Sequence, residues 1–120
     1  MSHYHDPADL AQLRNLKALA PVEYAAWIGL EKTVNRSDGE IPQKYRELIG
    51  IAVALTTQCP YCIEAHVRAA KKAGASAAEV AETTFIAAAL RAGAAATHGA
   101  MAMKLYEQAP GPANADGIAT

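Results

Sequence analysis

The sequence predicts an all-α fold, a bundle of five to six helices. Three observations carry this. No stretch alternates polar and apolar residues in the period-two pattern of a half-buried strand. Helix start and stop signals recur along the chain at helix-length intervals. Alanine, the strongest helix former, supplies 16 of the 34 residues in 69–102.

The elements follow in order. Asp6-Pro7-Ala8-Asp9 offers an N-cap, a proline at the first helical position and an acidic residue three after the cap. A first helix is expected over 7–19, with Leu10, Leu13, Leu16 and Leu19 as one stripe facing the core. Pro21 opens a second helix reaching about residue 33, with Trp27 in the core or at a subunit contact. Asn35-Arg36-Ser37-Asp38-Gly39 is a polar loop of turn formers. Pro42 starts a third helix with a broad apolar face of Tyr45, Leu48, Ile49, Ala52, Val53 and Leu55. Thr56-Thr57-Gln58 weakens that helix, and Cys59-Pro60 reads as the N-cap and first position of a fourth, which stops at Gly74. Ser76-Ala77-Ala78-Glu79 is a capping box for a fifth. Gly93 and Thr97-His98-Gly99 either kink that helix or divide it, and the two remain alternatives at this level. The expectation is a single domain over 1–109, with a disordered tail over 110–120 where Pro, Gly and Asn leave little to bury.

Composition bounds the function. Eleven Lys and Arg against twelve Asp and Glu give a net charge of −1, without the basic clusters that nucleic acid or an anionic membrane would require. A chain with 52% hydrophobic and 19% charged residues can bury a core. Aromatics are only 6% and alanine buries little area, so the core is expected to be thin and supplemented by subunit contacts. Met1-Ser2-His3-Tyr4-His5-Asp6 has no basic region leading into an apolar run, and the apolar stretch 85–103 is interrupted by Arg91 and His98. A soluble, cytoplasmic protein is expected. Two cysteines do not make a disulfide framework, and their spacing matters more than their number.

That spacing sits in Cys59-Pro60-Tyr61-Cys62-Ile63-Glu64-Ala65-His66. Positions 59, 62 and 66 share one helical face. The segment opens a helix, where free N–H groups and the helix dipole favour a thiolate, the reactive form of cysteine. Two intervening residues let the sulfurs reach disulfide distance with little strain. His66, one turn beyond Cys62, can accept its proton directly or through water, and imidazole exchanges protons near neutral pH. Cys62 is therefore preferred as the attacking thiol and Cys59 as the resolving one; the dipole alone favours Cys59, and both assignments stay open. Glu64 points away from this face. Glu47 lies twelve residues before Cys59, and His66 seven after it. In a hairpin those are about 18 Å and about 10.5 Å back from the turn, an offset of roughly 7–8 Å that a long side chain and a water could bridge.

Other readings compete. Cys59, Cys62 and His66 could supply three zinc ligands, with His98 or water as the fourth, making a metal-binding helical module. No second Cys-x-x-Cys exists to close a structural site, and no resident metal or cofactor is expected. His98 reads first as a packed or capping residue and second as a site candidate. Tyr61, between the cysteines, either shapes access or packs. His3 and His5 are expected to be solvated.

The run over 47–74, E-L-I-G-I-A-V-A-L-T-T-Q-C-P-Y-C-I-E-A-H-V-R-A-A-K-K-A-G, resembles the core of the AhpD-like / carboxymuconolactone decarboxylase family. The shared pattern is a Glu, a Cys-x-x-Cys twelve residues on, a His four beyond, and a small-residue stretch ending in Ala-Gly. The similarity covers about 22–106. It implies an AhpD-like all-α fold, assembly as a homotrimer or homohexamer, and antioxidant peroxidase or disulfide-reductase chemistry. It also implies that Cys59 and Cys62 are the redox pair, that Glu47 and His66 form a proton relay, and that an external dithiol is the reductant. The decarboxylase branch usually lacks the cysteine pair, so the resemblance is to the thiol branch. The alkylhydroperoxidase proper is longer and often has a second His before the second cysteine, where this chain has Tyr61.

Overall fold

The computed structural model describes residues 4–113 and is all-helical over them, with a short 3₁₀ helix, five α-helices and no strand. His3 and residues 114–120 of the expected tail lie outside the described residues. Contacts group the chain into two compact units, 1–87 and 88–120. The candidate site residues 47, 59, 62 and 66 all belong to the first.

The opening helix differs from the expectation. Residues Pro7–Gln12 form a 3₁₀ helix, and only Leu13–Leu19 (α1) is α-helical. Asp6 accepts from the Ala8 amide at 2.8 Å, the Asp9 carboxylate accepts from the Asp6 amide at 3.0 Å, and the Asp9 amide bonds the Asp6 carbonyl at 2.8 Å. These local bonds close the tighter i→i+3 turn that helix ends favour. The leucine stripe is not core in this chain: Leu16 is 57% and Leu19 86% exposed. The amphipathic pattern shows that a face is suited to burial, and α1 packs chiefly on α2 and the 3₁₀ helix before it. Trp27 is half exposed, edge-on to Tyr24 with ring centroids 5.7 Å apart.

Helix α2 spans Pro21–Val34 and is closed by Asn35, whose side-chain amide donates to the Glu31 carbonyl at 2.8 Å. Arg46 ties the following loop to α3 (Gln43–Thr57), donating to the carbonyls of Val34 and Ile41, both at 2.8 Å. Gln58 then turns the chain in the left-handed region (φ 57), and the Cys59 amide bonds the Ala54 carbonyl at 3.1 Å. Helix α4 (Pro60–Lys72) returns against α3 as the second arm of a hairpin. It ends at Gly74, whose φ of 94° suits a residue without a Cβ, with the Ala75 amide on the Ala70 carbonyl at 2.9 Å.

Ser76 and Glu79 form the expected capping box (Glu79 amide to Ser76 Oγ, 3.1 Å; Ser76 amide to Glu79 Oε1, 2.9 Å) and start α5, Ala77–Gln108. The Lys44 ammonium sits 3.0 Å from Glu79, linking the start of α5 to α3. Helix α5 is one uninterrupted element through Gly93 and Thr97-His98-Gly99, so division is excluded. The high helix propensity of its alanines outweighs two internal glycines. Among the described residues of the first unit the buried ones are few: Ile51, Ala54, Ala70, Ala87, Glu47 and Thr83. Leu90, Met101, Met103, Leu105 and Tyr106 are exposed in the second. No helix among the described residues is long and apolar enough to cross a membrane.

Candidate functional site

The turn at Gln58 leaves Cys59 extended as the N-cap of α4, with Pro60 at the first helical position. The Cys59 sulfur accepts from the Cys62 amide at 3.3 Å. The two cysteines are joined in a disulfide, their Cα atoms 5.3 Å apart. They sit where unpaired amides at a helix start would stabilise a thiolate once the bond is reduced. The two residues line different surfaces. Cys62 lines a cavity of about 350 Å³ together with His66, whereas Cys59 lines a separate cleft with Tyr4, His5 and Gln58.

His66 and Glu47 meet directly. Nδ1 of His66 lies 2.7 Å from Oε2 of Glu47, with no water between them. The expected offset along the hairpin closes because His66 stands level with Gly50, three residues or about 4.5 Å of rise from Glu47, a distance the glutamate side chain spans. Glu47 is 5% exposed. Its other oxygen, Oε1, accepts from Nε2 of Gln43 at 2.8 Å, so both carboxylate oxygens act as acceptors. Nδ1 is then the protonated ring nitrogen, and Nε2 is left as the basic one. Gln43 carries the one buried side-chain oxygen or nitrogen among the described residues without a hydrogen-bond partner, its Oε1.

Two residues of this arrangement escape the sequence reading. Gln43 lies four residues before Glu47 on the same face of α3, a spacing that could have shown it. Gly50 lies three after, and the His66 ring rests over its Cα: a Cβ there would stand 2.7 Å from Nδ1 and 2.9 Å from Cγ. A glycine inside a helix costs about 1 kcal/mol relative to alanine, which marks the position.

The remaining candidates fall elsewhere. Tyr61 donates to Asp9 Oδ2 at 2.6 Å and does not line the Cys62 cavity, so it tethers the 3₁₀ helix to the cysteine segment. That bond holds the Asp9 carboxyl below its usual range and raises the Tyr61 phenol. Glu64 pairs with Arg68 at 2.8 Å on the outer face of α4. His98 is an exposed residue of α5 in the second unit. Among the described residues no three His, Cys, Asp or Glu side chains are grouped to hold a metal ion, and in this state the cysteine sulfurs bond each other. The cavity walls are largely apolar, with Val34, Ile41, Ile49 and Val53 facing Cys62, His66 and Arg46.

A helical hairpin with a Cys-x-x-Cys disulfide at the start of its second arm and a buried Glu–His pair across it fits a thiol function carried by an all-α protein. Residues 21–105 match the carboxymuconolactone decarboxylase family, and the chain belongs to it. A protein of Paracoccus denitrificans described as uncharacterized protein 4 in the cox locus is 40% identical over 86 residues, 72% of this chain and 77% of the relative. The apo crystal structure of a carboxymuconolactone decarboxylase family protein from Legionella pneumophila is 28% identical, with a TM-score of 0.62 over 82% of this chain and 88% of that one. Members of the family are often enzymes, decarboxylases or alkylhydroperoxidases.

Proposed function

We propose that this chain is a cytoplasmic thiol oxidoreductase that reduces peroxides, with Cys62 attacking and Cys59 resolving. The observation that carries this reading is the 2.7 Å His66–Glu47 pair, whose imidazole is one helical turn from Cys62 and lines the same cavity. In the reduced protein, Nε2 of His66 takes the Cys62 proton while Glu47 holds Nδ1–H and steadies the imidazolium. The thiolate attacks the terminal oxygen of a hydroperoxide ROOH. An S–O bond forms, the O–O bond breaks, and the alkoxide leaves as ROH with the proton from His66. Cys59 condenses with the Cys62 sulfenic acid, releasing water and forming the disulfide. An external dithiol then attacks that disulfide, leaves as its own disulfide, and restores both thiols.

The apolar walls of the cavity suit the alkyl body of an organic hydroperoxide. Assembly of copies as a trimer or hexamer is part of the proposal. It is supported by apolar side chains that the single chain leaves open, Phe85 at 74% and Ile86 at 60% exposure.

The test is turnover of an organic hydroperoxide with a small dithiol as donor. Wild type is expected to turn over and Cys62→Ser to be inactive. Full peroxide turnover by Cys62→Ser would reject the assignment. A wild type that reduces a model disulfide but leaves the hydroperoxide intact would make the substrate a disulfide instead.

A further inference from the structure

The face of α3 turned toward α4 carries Glu47, Ile51 and Ala54, all buried, and Gly50 between them. Glu47 and Gly50 are three residues apart and so stand one above the other on that face. Against Gly50 lies the ring of His66. A side-chain carbon at position 50 would come within 2.7 Å of Nδ1, 2.9 Å of Cγ and 3.0 Å of Cε1. The second of these contacts decides the consequence. Cγ is fixed to the His66 Cβ, so turning the ring about its own axis cannot clear it. The imidazole must swing away as a whole, or α4 must draw back from α3. Either movement pulls Nδ1 from Glu47 Oε2, now 2.7 Å away, and re-aims Nε2.

The other helical glycines show that this is specific to the position. Gly29, Gly93 and Gly99 would meet nothing within 4 Å on gaining a Cβ, so alanine fits at each of them. Gly50 is the helical glycine whose missing side chain is occupied by another group, and that group is the imidazole.

We infer that Gly50 is a positioning residue: its bare Cα is the floor on which the His66 ring is seated, and this seat sets both the hydrogen bond to Glu47 and the aim of Nε2. The inference rests on the proposed role of His66 as the base for Cys62. It adds a residue that lines the same cavity as Cys62 and acts through the imidazole.

The experiment compares wild type, Gly50→Ala, Gly29→Ala and His66→Gln as full-length reduced proteins. The rate of Cys62 alkylation by iodoacetamide is followed against pH, alongside thermal unfolding and the imidazole signals in NMR spectra. Gly50→Ala is expected to fold, to shift the His66 ring signals, and to lose about tenfold in alkylation rate near neutral pH, its pH profile moving toward that of His66→Gln. Gly29→Ala, an equal change of helix propensity in open space, is expected to keep the wild-type profile. If His66→Gln changes the profile while Gly50→Ala leaves both the ring signals and the rate at wild-type values, Gly50 does not position the ring and the inference fails alone. An unchanged profile in His66→Gln overturns the role of His66 and the inference with it. Where Gly50→Ala unfolds, Gly50→Ser is read in its place, since any Cβ meets the same ring atoms.

Discussion

Replacing Glu47 with Gln separates the electrostatic part of the site from its packing. The side chain keeps its volume, and its amide oxygen can still accept from Nδ1 of His66 across the present 2.7 Å. What is lost is the charge on the acceptor. Hydrogen bonds to charged groups contribute about 1.5–3 kcal/mol and neutral ones about 0.5–1.5, so steadying of the imidazolium falls by about 1–1.5 kcal/mol. At about 1.4 kcal/mol per decade, that is roughly a 5- to 12-fold loss in the step where His66 takes the Cys62 proton. With Glu47 only 5% exposed, water cannot make good the difference. The loss is larger if the new amide turns its NH₂ toward Nδ1, because the ring then adopts the tautomer with Nε2 protonated and has no base to offer.

Stability is expected to behave differently. Gln43 now donates to Glu47, with its own Oε1 buried and unpartnered. In the variant the Gln43 amide can turn over and accept from the new NH₂ group, so the hydrogen bond between positions 43 and 47 is kept and unfolding stays near the wild-type temperature. The assay is therefore hydroperoxide turnover and Cys62 alkylation rate, measured with a thermal melt on the same samples. An unchanged turnover in Glu47→Gln, with His66→Gln inactive, would refute the relay role of the carboxylate. A fall in turnover matched by loss of folded protein would assign Glu47 to structure instead.

Two further outcomes are expected. The Ser76 amide and the Lys44 ammonium together hold the Glu79 carboxyl below its usual range, and Glu79 in turn raises the Lys44 ammonium. A depressed carboxyl stabilises the fold above its unfolded-state pKa, and that contribution is lost as pH falls through the folded value. Melting curves of wild type and Glu79→Gln should therefore differ at neutral pH and converge in acid. High salt should narrow the gap only in part, because the Ser76 bonds are local. Light scattering should give three or six times the 12.6 kDa chain mass, and Phe85→Glu, which puts a charge on a residue 74% exposed in the single chain, should shift it toward the monomer.

The parts of the fold readable from sequence are those fixed by neighbours a few residues apart. Pro60 behind Cys59, Gly74 past Lys72, and the Ser76–Glu79 box each specify a helix end by a local bond, and each lies where the sequence puts it. The turn at Gln58 is left-handed without a glycine or asparagine to announce it, so the sequence shows only a weakening of α3. The leucine stripe of the first segment has a clear pattern, but a pattern does not say whether the covering surface comes from the same chain. Cys59, Cys62 and His66 are readable as a group because one helix carries them all. Gln43 and Gly50 are not, because their meaning depends on which residue of α4 lies opposite. That register is set by the turn between the helices, fifteen residues of chain lying between Gly50 and His66.

The same register explains why so thin a core contains a carboxylate. Ile51, Ala54, Ala70 and Ala87 are the buried apolar residues of the first unit, and only Ile51 is large. An apolar residue at position 47 would add to that core, whereas a buried carboxylate costs several kcal/mol before its partners offset it. Glu47 has a partner on each oxygen, Gln43 on one and His66 on the other, which makes the position tolerable. Gly50 gives up helix propensity one turn further along, and the ring it makes room for is again His66. Two unfavourable choices on one face of α3 converge on a single imidazole, and that imidazole shares its cavity with Cys62. Helix pairing alone would be better served by Leu and Ala at these positions, and the proposed proton relay beside the Cys62 sulfur accounts for both departures.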